Sequence, residues 1–141
     1  MPDCMYCAKD VRLHELMRQV VQLPSSTMYL HTEQSYPGRC ILVYRQHKHK
    51  LTDLTEEEYG AFFADVRRCA KVLEQVYHPD KINYLVLGDV SPHLHLHLVP
   101  KYREGCEWGE VFQMLPNPEK HISEEELQRK ITTLQKAFEA Q

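Results

Sequence analysis

At 141 residues, with 43% hydrophobic and 26% charged side chains, the chain is long enough for one domain with its own core and too average in composition to be disordered. A net charge of −3 and a pI near 6.3 leave no electrostatic case for a nucleic-acid polymer as partner. No apolar run approaches the ~20 residues of a membrane span. The opening Met1-Pro2-Asp3-Cys4-Met5-Tyr6-Cys7 lacks the basic-then-apolar pattern of a secretory signal. The expectation is a cytoplasmic protein, with no membrane partner, whose five cysteines are thiols or metal ligands.

In chain order, Leu13, Leu16, Met17 and Val20 recur at helical steps and predict a short helix over about 10–19, broken by Pro24-Ser25-Ser26. Thr27 to Leu30 and Cys40 to Tyr44 read as two strands joined through a turn at Tyr36-Pro37-Gly38. A long helix follows. Thr55 and Glu58 have the spacing of a capping box, and Glu56, Glu57 and Glu58 suit the positive end of the helix dipole. Tyr59, Phe62, Phe63, Val66, Ala70, Leu73 and Val76 give that helix one apolar face as far as about Tyr77, and His78-Pro79-Asp80 ends it. Ile82 to Leu87 is a strand, Gly88-Asp89 a turn, and Leu94 to Val99 a further strand. Residues 102–118 read as an irregular loop. Ser123 with Glu126 repeats the capping signal ahead of Leu127, Ile131, Leu134 and Phe138 on a last amphipathic helix. Paired strands with helices set apart from them predict an α+β fold, an antiparallel sheet covered by helices on one face. The whole of 1–141 is expected to be a single domain, with a core over about 4–114 and a C-terminal helical extension over about 123–141.

Nine histidines are more than packing requires, and their placement carries the chemistry. His93-Leu94-His95-Leu96-His97-Leu98-Val99 alternates with period two, so a strand turns three imidazoles to one face and the leucines to the core. Pro92 can open such a strand. Imidazoles at i and i+2 stand about 6.5–7 Å apart and the outer pair about 13 Å apart. One ion with bonds near 2 Å takes two neighbours but hardly all three, so at least one histidine is left for chemistry. A neutral imidazole attacks phosphorus well, and the phospho-imidazole that results is readily displaced by water. Cys4-x-x-Cys7 has the spacing of half a tetrahedral zinc site, which needs two further ligands from His47, His49 or the triad. Cys40, Cys69 and Cys106 read as buried or incidental.

The sequence His93 to Val99, followed by Pro100-Lys101, resembles the histidine-triad (HIT) superfamily. The resemblance runs from Cys4 to about Met114. It takes in Cys4-x-x-Cys7, Pro37-Gly38 through Val43, His47 ahead of Leu51-x-Asp53-Leu54, and Asn83 to Gly88. It implies a half-barrel-like antiparallel sheet with a long helix, paired into a homodimer. It implies cleavage at the α-phosphate of a nucleoside phosphoramidate or dinucleoside polyphosphate, a nucleotide whose base is adenine or another purine. His95 would be the nucleophile that forms a nucleotidyl-histidine, and His97 would support the charge that develops on the phosphate. A backbone carbonyl near His93 would set the tautomer of His95. In zinc-bearing relatives the first triad histidine is a ligand, which implies a zinc held by Cys4, Cys7, His47 and His93. The nucleotide-contacting candidates are His31, Asn83, Asp89, Ser91 and Trp108. His31 stands where relatives commonly carry an acidic residue that grips the ribose, and Asp89 stands where they commonly carry glutamine. Ser91 either binds phosphate or caps its turn, and Trp108 either stacks on a base or packs. Two other readings stay open: a zinc-stabilised nucleotide-binding or adaptor module with little catalysis, and a metallohydrolase with its metal at His95 and His97.

Overall fold

The structure is a computed structural model that describes residues 2–141; Met1, in the opening segment read above, lies outside the described residues. Two short helices come first, α1 (Met5–Ala8) and α2 (Val11–Leu16), the second capped by the Asp10 carboxylate, which accepts from the Arg12 backbone N–H. Strands β1 (Met17–Gln22), β2 (Ser26–His31) and β3 (Cys40–Tyr44) follow as a meander. Then come the long helix α3 (Glu56–Tyr77), strands β4 (Lys81–Leu85) and β5 (His95–Lys101), and helix α4 (Glu124–Glu139). The strands form one antiparallel sheet in the order β1-β2-β3-β5-β4. Among the described residues no helix is long and apolar enough to cross a membrane.

The helix expected over about 10–19 is corrected: it stops at Leu16, and Met17 begins β1. A bulge between Gln19 and Val21 hides that strand from a search for alternation. Met17 belongs to the cluster on one face of the sheet, whereas Val20 and Val21 both pack into the core on the other. The Leu13, Leu16, Met17, Val20 spacing is therefore a strand with an extra residue joined to a single helical turn. Leu16 itself is exposed.

α3 forms where its periodicity places it. Thr55 Oγ1 accepts from the Glu58 N–H at 3.1 Å and Glu58 Oε1 accepts from the Thr55 N–H at 2.9 Å, so the capping box is complete. His78 closes the helix in the left-handed conformation. Only half of the second capping signal is realised: Ser123 Oγ accepts from the Glu126 N–H at 3.1 Å. The even-numbered face of β5, Leu96 and Leu98, packs with Leu42, Phe62, Leu73, Ile131 and Leu134 into one core between the sheet and the two long helices. α3 is also pinned to the β1–β2 turn by a buried carboxylate. Asp65 Oδ2 accepts from Ser25 N, Ser25 Oγ and Ser26 Oγ at 3.0, 2.8 and 2.6 Å. Gly38, at φ +87°, is required at the turn into β3, since a Cβ there would stand 2.9 Å from the Tyr77 ring and 3.1 Å from Pro100.

With the helices on the leucine side, the opposite face of the sheet is left for the histidines.

Candidate active site and metal centre

The pairing registers lay out this face row by row. His95 is opposite Val43, and His97 stands between Ile41 and Leu85. One row further on, the Arg39 carbonyl accepts from His31 N–H at 3.0 Å, which sets Arg39 and His31 side by side next to His97. Three segments wall the face into a cavity of about 370 Å³: the α1–α2 region with Met5 and Tyr6, the 87–91 loop, and the 114–121 segment. His31, Asp89, Ser91, His95 and His97 all line it.

Two backbone carbonyls fix two imidazoles. A carbonyl oxygen only accepts, so the nitrogen facing it carries the proton. His95 Nδ1 donates to the His93 carbonyl at 2.7 Å, which leaves the Nε2 lone pair free for the cavity. His93 Nε2 donates to the Tyr44 carbonyl at 2.7 Å, which turns its Nδ1 lone pair away from the strand. Burial pushes the pKa of His95 below the ordinary 6.5, against the opposing effect of the His93 carbonyl. Burial, reinforced by the His95, Arg39 and His31 charges, drops His97 to about 3. His31 is pushed down to about 4 by burial and then by Arg39. All three are neutral at pH 7. Tyr6 seats its ring 5.3 Å from that of His95 and 5.5 Å from that of His93. His97 packs edge-on to His95 at 5.3 Å, and its Nδ1 is buried with no hydrogen-bond partner among the described residues.

Behind His93 lies the second cluster. The ligand atoms of Cys4, Cys7, His47 and His93 all fall within 4.8 Å of one another. α1 opens at Cys4 and carries Cys7 one turn on. The 45–50 segment runs beside the start of β5, where Lys48 O accepts from the Leu94 N–H at 2.7 Å, and this carries His47 to His93. His93 Nδ1 is 3.4 Å from Cys4 Sγ, 3.5 Å from Cys7 Sγ and 3.2 Å from His47 Nδ1, while Cys7 Sγ is 3.3 Å from His47 Nδ1. A tetrahedron with Zn–S bonds near 2.3 Å and Zn–N bonds near 2.05 Å has edges of about 3.5 Å from sulfur to nitrogen and about 3.3 Å between nitrogens. The four residues fit such an ion, and the Tyr44 carbonyl supplies the outer hydrogen bond that orients a ligating histidine. His95 and His97 stand outside this cluster, and the Nδ1 of His95 is already bonded.

Asn83 and Trp108 lie elsewhere. They line a separate cavity of about 530 Å³ along β4, where Lys101 Nζ donates to Asn83 Oδ1 at 3.4 Å and the Arg103 guanidinium lies 5.1 Å from the Trp108 ring. Within one chain they do not meet the triad. Sequence reading passed over Tyr6, Glu33, Arg39 and Met114, which line the triad cavity. For Arg39 a signal existed, since it immediately precedes β3 and has the same parity as Ile41, which faces His97.

Comparison with known proteins agrees with this architecture. The HIT domain family profile matches residues 15–104. A bis(5'-adenosyl)-triphosphatase of Dictyostelium discoideum is 22% identical over 109 residues, which is 73% of this chain and 73% of that protein. A histidine triad protein of Marinobacter aquaeolei superposes with a TM-score of 0.82 at 21% identity, over 93% of this chain and 95% of the other. A zinc-bound histidine triad family protein of Mycobacterium smegmatis superposes with a TM-score of 0.71 at 20% identity, over 97% of this chain and 94% of the other. With most of the chain matched by the profile, and with His95 and His97 side by side on the face of the sheet opposite the long helices, this protein belongs to the HIT domain family.

Proposed function

We propose that the chain is a nucleotidyl hydrolase or transferase that cleaves at the α-phosphate of a nucleoside phosphoramidate or a dinucleoside polyphosphate. The observation that carries this reading is the 2.7 Å bond from His95 Nδ1 to the His93 carbonyl, because it leaves a neutral, buried imidazole with its Nε2 lone pair facing the cavity. In the first step His95 Nε2 forms a bond to phosphorus as the bond from phosphorus to the leaving oxygen or nitrogen breaks. The leaving group departs with the electron pair and takes up a proton. In the second step water, or another acceptor, attacks phosphorus and gives up a proton. The N–P bond breaks, nucleoside monophosphate is released and His95 is neutral again. His97 faces the same phosphate from the next position on the strand and supplies a hydrogen bond as charge grows on oxygen. Asp89 and Ser91, on the lip, contact the phosphate or the leaving group. The resemblance to a bis(5'-adenosyl)-triphosphatase supports a nucleotide as substrate, with adenine or another purine as its base.

In the same reading Cys4, Cys7, His47 and His93 hold a structural zinc, supported by the fit of their spacing and by a zinc-bound relative. When bound, the ion ties the α1 segment to the start of β5 and so fixes Tyr6 against His95. The chain acts as a homodimer. The open edge of β4, where Asn83 and Trp108 line their cavity and Tyr84 is half-exposed, is the surface a second copy covers. Five cysteines outside any disulfide, two of them the zinc ligands Cys4 and Cys7, support a reducing compartment, the cytoplasm.

Intact-protein mass spectrometry after brief incubation with a panel of adenylated phosphoramidates and dinucleoside polyphosphates tests the reaction. A nucleotidyl adduct on His95, lost together with turnover in His95→Ala while the circular dichroism spectrum is kept, is the expected outcome. Turnover that survives in His95→Ala sinks the reading. Binding of nucleotide without product over hours would favour a non-catalytic module instead.

A further inference from the structure

Arg39 stands one row past His97 on the floor of the triad cavity, and only 1% of its side chain is exposed. One of its nitrogens is used. Nη2 donates to the Met114 carbonyl at 3.0 Å, with Met114 Sδ at 3.3 Å, and the guanidinium lies 5.4 Å from the Phe112 ring centroid. Nε and Nη1 have no hydrogen-bond partner among the described residues. The nearest acid is Glu33, whose Oε1 is 3.8 Å from Nη1, too far for a hydrogen bond. Its carboxylate is already engaged with Ser35 N at 3.2 Å, Ser35 Oγ at 2.5 Å and Lys120 N at 2.7 Å. Arginine cannot shed its proton to escape this position, so a residue that lines the cavity is a buried cation, paired with Glu33 across 3.8 Å, with two donors that make no hydrogen bond.

His31, next to Arg39, points the same way chemically. Its Nδ1 accepts from the Glu33 N–H at 3.2 Å, so its proton sits on Nε2. The two side chains therefore offer donors and no acceptor. A sugar diol needs both, whereas a phosphate oxygen needs donors alone. The remaining acids that line the cavity, Asp89 and Glu119, are exposed at its lip, and Glu119 Oε2 is 2.9 Å from His121 Nε2. The floor holds the buried Arg39–Glu33 pair, and the lip is negative. On β3 the Arg39 row is four residues from Val43, the partner of His95, or about 13 Å along the strand. A group held at Arg39 is thus distinct from the phosphoryl group under attack at His95.

We propose that Arg39 and His31 form a donor-only anion subsite in the triad cavity, and that the substrate nucleotide carries a second phosphate there, in addition to the one that His95 attacks. This rests on the triad cavity being the nucleotide site. The second phosphate sits either on the ribose or on the leaving-group side, and the ligands below separate the two.

Calorimetric titration of the full chain with AMP, adenosine 2',5'- and 3',5'-bisphosphate and α,β-methylene-ADP tests the subsite. At least one of the doubly phosphorylated ligands is expected to bind about ten-fold more tightly than AMP, the shift a charge-assisted guanidinium contact provides. Preference for a bisphosphate places the group on the ribose, and preference for the methylene diphosphate places it on the leaving-group side. Arg39→Gln erases the preference while AMP affinity changes by less than about three-fold, and Arg39→Lys keeps part of it. If Arg39→Gln lowers the thermal midpoint too far to titrate, His31→Phe removes the second donor and reduces the preference by about three-fold. No preference in the unsubstituted protein, an equal loss for all ligands in Arg39→Gln, or an unchanged preference in His31→Phe overturns the proposal. A His95 adduct without the preference sinks the subsite alone; the preference without an adduct sinks the hydrolase reading alone.

Discussion

The three imidazoles of the triad, His95 and His97 on β5 and His93 just ahead of it, end in three different states, and their nearest polar neighbours set the differences. His93 and His95 each donate to a carbonyl, but with opposite nitrogens, so one lone pair faces the cysteines and the other faces the cavity. His97 makes no such bond at Nδ1 among the described residues and lies beside the charge field of Arg39. This difference has a consequence for acid stability. His97 and His31 are held at about 3 and about 4, against an ordinary 6.5. The unfolded chain takes up protons at both positions as the pH falls through 6.5, while the fold refuses them until the pH reaches those lower values. Stability is therefore fully present above pH 6.5 and declines as the pH drops toward 4, by on the order of 3 kcal/mol for each of the two groups. Urea unfolding midpoints at pH 7 and pH 4.5 should show the loss, and His97→Asn should shrink it; a midpoint that ignores pH would rule the explanation out. The alternation of histidine and leucine was legible in the chain because a strand has period two. The family resemblance implied that a carbonyl near His93 sets the tautomer of His95, but which nitrogen of His93 carries the proton was not legible, because the deciding Tyr44 carbonyl arrives only when segments 49 residues apart come together.

Elements on the two sides of the sheet do different work. α3 and α4 close the leucine side. The capping signals at Thr55 and Ser123 and the 3.6-residue apolar stripes announced both helices, since those features act within a few residues of each other. The Asp65 contact that locks α3 to the β1–β2 turn could not be read in the same way. It joins residues about forty positions apart, and an aspartate on a helix stripe looks like a break in the pattern. Asp65→Ala leaves one backbone N–H and two hydroxyls without their shared acceptor in a buried place, so a loss of about 3 kcal/mol is expected in denaturant titration, with the triad's activity retained at low temperature. A loss below about 1 kcal/mol would mean that water replaces the carboxylate. β1 escaped for the reason its bulge provides: an extra residue turns Val20 and Val21 to the same side and erases the alternation that marks a strand.

At the scale of the molecule, the Cys4, Cys7, His47 and His93 cluster and the triad cavity are neighbours, joined where His93 leads into β5. Cys4 and Cys7 bracket Tyr6, the ring that lies on His93 and His95, and Met5 and Tyr6 also wall the cavity. Removing metal from the Cys4, Cys7, His47 and His93 site should lower the melting temperature, because metal-ligand bonds contribute directly to folding. It should also loosen nucleotide binding through the freed Tyr6 and Met5. Melting curves and titrations before and after chelation, with recovery on adding zinc, would show both effects; unchanged melting after full metal loss would refute the structural role.

The sequence by itself determined what depends on near neighbours and on composition: the α+β class, the two long helices, the strand that carries His95 and His97 on one face, and the cysteine pair with its unfilled valences. Resemblance to the HIT superfamily, carried by those same short motifs, implied a ligand set and a nucleophile, which stay proposals. Tertiary structure alone decided which residues share a cavity. It brought His31, Asp89 and Ser91 to His95, and it sent Asn83 and Trp108 to the outer edge of the sheet. It also buried Arg39 beside His97 with two donors unused. The reason is physical: a side chain's face follows from local periodicity, but its partners follow from strand order and register, which are settled only when distant segments pack together.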